Sequence, residues 1–339
     1  MDTYKLKIYM FFLFASFAIL SGCVATPVNY PINSTITPGI PSDDGLAIEE
    51  PASKIAFTAT EDDNNVLYIM NLDGSDMHKI GENIPGLINI FEPAWSPIGD
   101  YIAFSGLQEN GTGQIFIVKP DDSSWRQLTD DPGGAMMPAW SPDGQYIIYL
   151  TERDGVLSVN RKNPVGEIYI MKVDGSEQRR ITNNQDFERS FQWSPQNNLL
   201  VISANVYEPP GYDAERIYLM GLDGIIQQQL TTVGYNSDPK WSPDGSLILF
   251  TSSRDDRSGI YLMNSDGSNQ TCLIEDVPAH DGKDAILNIT PSWAEDGRSI
   301  LFSSNRDGDW DVYTIRPDGT HLTQITNLPG NEYSPVWVR

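Results

Sequence analysis

The chain has 339 residues, a formal net charge of −24 and two cysteines. Such acidity argues against nucleic acid and against docking on anionic lipid headgroups, and leaves basic partners or cations as charge-complementary ligands. Two cysteines exclude a disulfide-framed fold, and the length suffices for one large domain with a substantial core.

Lys5 and Lys7 precede an apolar run over residues 8–20, too short to cross a bilayer comfortably, and Ser21-Gly22-Cys23 follow. A positive start, a short apolar stretch and small residues at the cut form an export signal. The ending resembles the lipobox of bacterial lipoproteins, which implies that Cys23 is acylated and anchors the protein to a membrane. Losing Asp2, Lys5 and Lys7, which together carry +1, takes the charge of the mature chain from −24 to −25. Residues 24–52 scatter Pro27, Pro31, Pro38, Pro41 and Pro51 among Thr, Ser, Asn and Gly without apolar periodicity, as an extended tether does.

Residues 53–339 are organised by a repeat. Trp95, Trp140, Trp193, Trp241, Trp293 and Trp337 recur at intervals of 45, 53, 48, 52 and 44. Each marks a predicted strand, and after the first five Ser-Pro-Asp-Gly or a variant of it follows as a type I turn. Short apolar strands come next, over 101–104, 146–149, 199–202, 247–250 and 299–302. Third strands reading Ile-Tyr-x-Met or similar follow over 115–118, 168–171, 217–220, 260–263 and 312–315. Asp-Gly turns come after most of them, and Leu128-Thr129, Ile181-Thr182, Leu230-Thr231 and Ile325-Thr326 close four repeats as short fourth strands. This periodicity predicts an all-β, six-bladed propeller of four-stranded blades. Residues 54–80 supply a blade lacking its Trp strand, and residues 334–339 supply only a Trp strand. The last strand is therefore expected to pair into the first blade and close the ring.

Pro138-Ala139-Trp140-Ser141-Pro142-Asp143-Gly144 and Pro239-Lys240-Trp241-Ser242-Pro243-Asp244-Gly245 resemble the TolB-type (PD40, WD40-like) propeller repeat, from about residue 54 to the end. Propellers of this kind serve as envelope scaffolds, as gating domains of serine peptidases and as sugar lyases, so the resemblance implies a fold more sharply than an activity. TolB carries a small α/β domain where this chain has its tether.

The uniform turns fall on one face, and the variable connections over 81–92, 151–167, 205–216 and 275–290 fall on the other, where binding is expected. Residues just before each Pro-x-Trp, or its equivalent, ring the channel mouth: Glu92, Met137, Ser190, Asp238, Thr290 and Ser334, flanked by Phe91, Arg189 and Tyr333. Two carboxylates, an arginine and two aromatics suit a peptide or small polar ligand. The same residues also suit the plain rim of a water-filled hole.

Other chemistry is sparse. His78, His280 and His321 are scattered, no Gly-x-Ser-x-Gly elbow exists, and Ser237-Asp238-Pro239-Lys240 lacks the helix that a Ser-x-x-Lys site needs. Alternating carboxylates over 305–311 evoke Ca²⁺ without EF-hand offsets. Because Arg-Asp recurs at Arg153-Asp154, Arg254-Asp255 and Arg306-Asp307, a structural ion pair at each hairpin is expected instead. Cys272 reads as a small packed residue rather than a nucleophile. The sequence therefore predicts a monomeric, membrane-anchored, extracytoplasmic module, without a cofactor, that binds an envelope protein, peptide or glycan. The alternatives are a hydrolase or lyase acting at the channel mouth and a purely structural repeat protein.

Overall fold

The computed structural model describes residues 54–154, 166–183, 187–208, 212–254, 257–279 and 284–338. The leader, Cys23, the tether, His280 and most of the 151–167 connection lie outside them. The described residues form six four-stranded antiparallel sheets. Their first strands are β4 (Leu87–Trp95), β8 (Ala135–Trp140), β12 (Phe187–Trp193), β16 (Tyr235–Trp241), β20 (Asn288–Trp293) and β24 (Glu332–Val338). These six touch one another around the ring and so form its innermost layer.

The ring closes as expected. In blade I, β24 pairs with β1 (Lys54–Glu61), placing Trp337 opposite Ile55, and β2 (Asn64–Asn71) and β3 (His78–Ile80) follow outward. Blades II to VI then follow in chain order, beginning with β4, β8, β12, β16 and β20.

Second strands are apolar because both faces are covered. Phe57, Phe104, Tyr149, Phe250 and Phe302 are fully buried, each contributing about 1.5–3 kcal/mol. The clusters straddle neighbouring blades: Val201, Ile217 and Leu219 of blade IV pack with Trp241, Phe250 and Tyr261 of blade V. The tryptophans reinforce the same seams. Trp140 Nε1 donates to the Ala94 carbonyl at 2.9 Å, and Trp293 Nε1 to that of Lys240 at 3.3 Å.

Three local expectations are corrected. The Leu-Thr and Ile-Thr pairs lie just beyond the fourth strands, not within them. Their hydroxyls accept the third-strand N–H of Ile115, Ile168, Ile217 and Val312 at 2.8–2.9 Å. The motif is thus a plug for an exposed donor. Residues 205–216 extend a hairpin, with Glu208 opposite Tyr212, because the second and third strands of blade IV continue pairing past the sheet. Among the described residues Arg153 and Arg306 form no ion pair with Asp154 and Asp307 beside them, and Asp255 lies outside the described residues. Arg153 and Arg306 lie 4.6 and 4.7 Å from the ring centres of Tyr169 and Tyr313, whose hydroxyls donate to Asp154 and Asp307. Arg254 stacks likewise on Tyr261 at 5.0 Å. Stacking on the ring holds the guanidinium in place, and Arg153 takes its carboxylate partner from Asp131 at 2.5 Å instead.

Cys272 is also placed differently: it is exposed, because it sits on an outer fourth strand with one face toward solvent. Its thiol is nevertheless pushed up to about 11, by the surrounding protein and by Glu275, which leaves it a poor nucleophile.

The closing seam carries a singular electrostatic feature. Buried acids elsewhere meet arginine: Asp131 with Arg153, Glu167 with Arg180, Glu215 with Arg189. At the seam, fully buried Glu332 of β24 faces buried Asp311 of blade VI, and among the described residues no cation pairs with either. Burial first, then Asp311, pushes Glu332 up to about 8. A carboxyl that keeps its proton on folding costs nothing below its unfolded value near 4.5 and destabilises progressively as pH rises toward 8. Thermal melts between pH 5 and pH 9 should therefore show a decline that Glu332→Gln flattens, the variant exceeding the parent at pH 9. Equal slopes would show that the pair is not protonated.

Candidate functional site

The six predicted ring residues share one local geometry, and its cause is proline. In five blades a Pro follows the ring position, removing a ladder donor from an inner strand, and pairing shifts there between Phe91 and Ala94, Met136 and Ala139, Ser237 and Lys240, Ile289 and Ser292 and, opposite β24, Ala56 and Thr58. Each resulting bulge puts its ring residue in the left-handed region: Glu92, Met137, Asp238, Thr290 and Ser334 have φ of 52°, 59°, 51°, 49° and 51°. In the sixth blade Phe191 replaces Pro. The shift there falls between Glu188 and Ser190, and Ser190 is not in that region. The ring sits two to five residues inside its strands, recessed into the channel.

Alternation sets what meets the channel. The ring position is half-buried in these five blades, the following Pro is buried, and the next residue is half-buried again. That second tier is Ala94, Ala139, Gln192, Lys240, Ser292 and Val336. Lys240 is the functional candidate that sequence reasoning missed. Its signal was its place two residues beyond Asp238 on the same strand.

Hydroxyls hold the ring in place. Ser105 Oγ donates to Glu92 Oε2 at 2.8 Å, and the Met137 N–H, in the next blade, donates to Ser105 Oγ at 2.8 Å and to Glu92 Oε2 at 3.0 Å. Ser203 donates to buried Glu215 at 2.6 Å and lies 2.8 Å from Ser190 Oγ, which accepts the Asp238 N–H at 3.1 Å. Thr251 meets Ser237 at 2.7 Å, Thr290 donates to Ser303 at 3.3 Å, and Thr58 donates to the Tyr333 carbonyl at 3.2 Å. All five supporting hydroxyls occupy the second-strand position after Phe57, Phe104, Ile202, Phe250 or Phe302. In blade III that position is Leu150.

The charged members share one enclosed space. Glu92 in blade II lies across the ring from Asp238 and Lys240 in blade V. Burial pushes Glu92 and Asp238 up and Lys240 down, and Lys240 partly offsets the shift of both acids. Arg189 lies 3.6 Å from Glu215, which burial raises to about 7, and its charge also reaches Asp238. Tyr333 packs on Trp310 with ring centres 5.7 Å apart. The structure thus brings Glu92, Asp238, Lys240 and Arg189 into one mixed-charge zone, flanked by Met137, Thr290 and Ser334. Among the described residues no group of three or more His, Cys, Asp or Glu is arranged to hold a metal.

If these charges share the channel, Lys240→Met should raise the apparent pKa of both Glu92 and Asp238 in carboxyl-carbon NMR titrations. A shift confined to Asp238 would separate the two sides of the ring.

Comparison with known proteins agrees with this architecture. The TolB beta propeller domain (PD40) family matches residues 48–273. An uncharacterised protein of Agrobacterium fabrum is 29% identical over 142 residues, 42% of this chain and 44% of that protein. A TolB homolog of Chlorobium luteolum is 29% identical over 122 residues, 36% of this chain and 26% of its own length. The chain thus spans less than half the length of these relatives. The crystal structure of TolB from Acinetobacter baumannii superposes with a TM-score of 0.66 at 17% identity, covering 84% of this chain and 66% of that one, a likeness of fold. With the family match extending over about two thirds of its length and six blades of the expected topology, the chain belongs to the TolB beta propeller domain family.

Proposed function

We propose that this protein is an extracytoplasmic, lipid-anchored propeller whose central channel and long-loop face bind an envelope protein, peptide or glycan. The observation that carries this reading is the recessed ring of left-handed bulges, which holds two carboxylates, a lysine and an arginine in fixed positions. Non-glycine residues at positive φ cost about 1–3 kcal/mol each, and such strain clusters where a fold holds side chains for a ligand. Fixed charges of both signs in a walled space suit a polar, extended ligand bearing its own charges. Family membership and the TolB homolog among its relatives support a binding module rather than a particular chemistry.

In this reading the anchor is Cys23, and residues 24–52 tether the propeller to it. Its acylation predicts that the protein partitions with membranes, and that Cys23→Ser releases it to the soluble fraction or leaves it unprocessed. Recovery of the variant in membranes at the parent level would remove the anchor from the proposal.

The binding site is tested by affinity capture from the native envelope with the full-length protein and with a variant carrying Glu92→Ala, Arg189→Ala, Asp238→Ala and Tyr333→Ala. Circular dichroism first establishes that the variant folds. A partner held by the parent and lost by the variant supports channel recognition. Identical captures from both dismiss it.

A further inference from the structure

On the short-turn face the repeats obey a packing rule that one blade breaks. After the Trp in blades II, III, V and VI, the fourth turn residue is Gly99, Gly144, Gly245 or Gly297, with φ of 80°, 68°, 67° and 67°. Each donates its N–H back to the first turn residue at 2.8–3.0 Å. In blades III and V the missing side chain also lets the turn settle on the one before it. A Cβ on Gly144 would lie 3.3 Å from Ile98 of the preceding turn, and one on Gly245 would lie 3.1 Å from Gln196.

Blade IV reads Ser194-Pro195-Gln196-Asn197-Asn198, so an asparagine stands where glycine is needed. Asn197 is not in the left-handed region and does not donate back to Ser194. Its side chain instead accepts the Leu199 N–H at 3.1 Å. The turn lacks the inner bond, although Ser194 N–H still donates to the Leu199 carbonyl at 2.8 Å as in the other blades. A cleft of about 510 Å³ beside it is lined by blades III and IV. Its volume lies within the ~300–1,000 Å³ of small-molecule sites.

The lining combines ring surfaces and polar groups. Trp193, Tyr146, Pro142 and Pro195 contribute rings, and Arg179 and Asn198 stand beside them. Among the described residues the side chains of Arg179, Asn198, Tyr146 and Trp193 make no hydrogen bond, which leaves a guanidinium, an amide, a phenol and an indole N–H for a ligand. Charge is near balance. Glu177 pairs with Lys172, and Asp143 caps its own turn through Ser141 and Gln145.

The geometry points to this cleft as a second binding site, separate from the channel and specific for a short neutral oligosaccharide. A sugar ring has an apolar C–H face that packs on aromatic and proline rings and a hydroxyl edge that both donates and accepts. The balanced cleft on a protein of net charge −24 disfavours acidic glycans.

The test uses the full-length protein and saturation-transfer NMR with maltotriose, cellotriose and triacetylchitotriose. At least one should bind saturably with a Kd of about 1 mM or tighter. Tyr146→Ala and Arg179→Ala should each weaken it about tenfold, or ~1.4 kcal/mol. Asn197→Gly, which restores the glycine turn and removes a side chain from the lining, should weaken binding about tenfold while holding or raising the melting temperature. Channel capture should be unchanged in all three variants, so failure here leaves the channel reading intact. Absence of saturable binding by every trisaccharide, undiminished binding by Asn197→Gly, or displacement of the sugar by a proline-rich decapeptide would each overturn the site.

Discussion

Antiparallel pairing of β24 with β1 is the constraint on which the remaining structure depends. Without it blade I has three strands, and the innermost layer has a gap between blades VI and II. Each blade alone is a small sheet with two apolar faces, and those faces are buried only against neighbours. Closing the ring gives the first and last blades the neighbours that the middle blades already have, and it removes an open edge. The chain sets this join between segments far apart in sequence, which places Glu332 against Asp311 in a buried seam.

The channel follows from the same closure combined with one residue type. A proline in an inner strand deletes a ladder hydrogen bond, and a bulge is the way the strand accommodates the loss. Repeated in five blades, the device turns an ordinary inner layer into a ring of residues at positive φ, each supported by its neighbourhood. The supporting hydroxyls bridge blades: Ser105 reaches the Met137 amide, and Ser190 reaches the Asp238 amide. Stability and site geometry therefore rest on the same contacts. In blade III Leu150 replaces the hydroxyl, so the device tolerates an apolar member.

Departures from the repeat carry the individuality of this chain. Phe191 in place of proline leaves Ser190 outside the left-handed region, and the bulge moves one step toward Glu188. Asn197 in place of glycine removes the inner hydrogen bond of its turn, and a cleft lies beside it. Both are single-residue deviations whose consequences reach across a blade seam, because the seam is packed by the same positions in every repeat.

Spacing and turn chemistry determined the architecture from sequence alone. Tryptophan intervals near 50 residues, Ser-Pro-Asp-Gly turns and the incomplete first and last repeats sufficed for six blades and for the closing strand, because each rests on local periodicity and on counting. The ring positions before each Pro-x-Trp were legible for the same reason. Only the tertiary structure decided what those positions meet. Lys240 was hidden because its relation to Glu92 spans the channel between blades II and V, and the Leu-Thr hydroxyls looked like strand residues until their third-strand partners were placed. Seam electrostatics, the stacked arginines and the open cleft likewise depend on distances between residues that no sequence interval encodes. Periodicity specifies which element forms, whereas burial, charge and fit belong to the pairs that folding brings together.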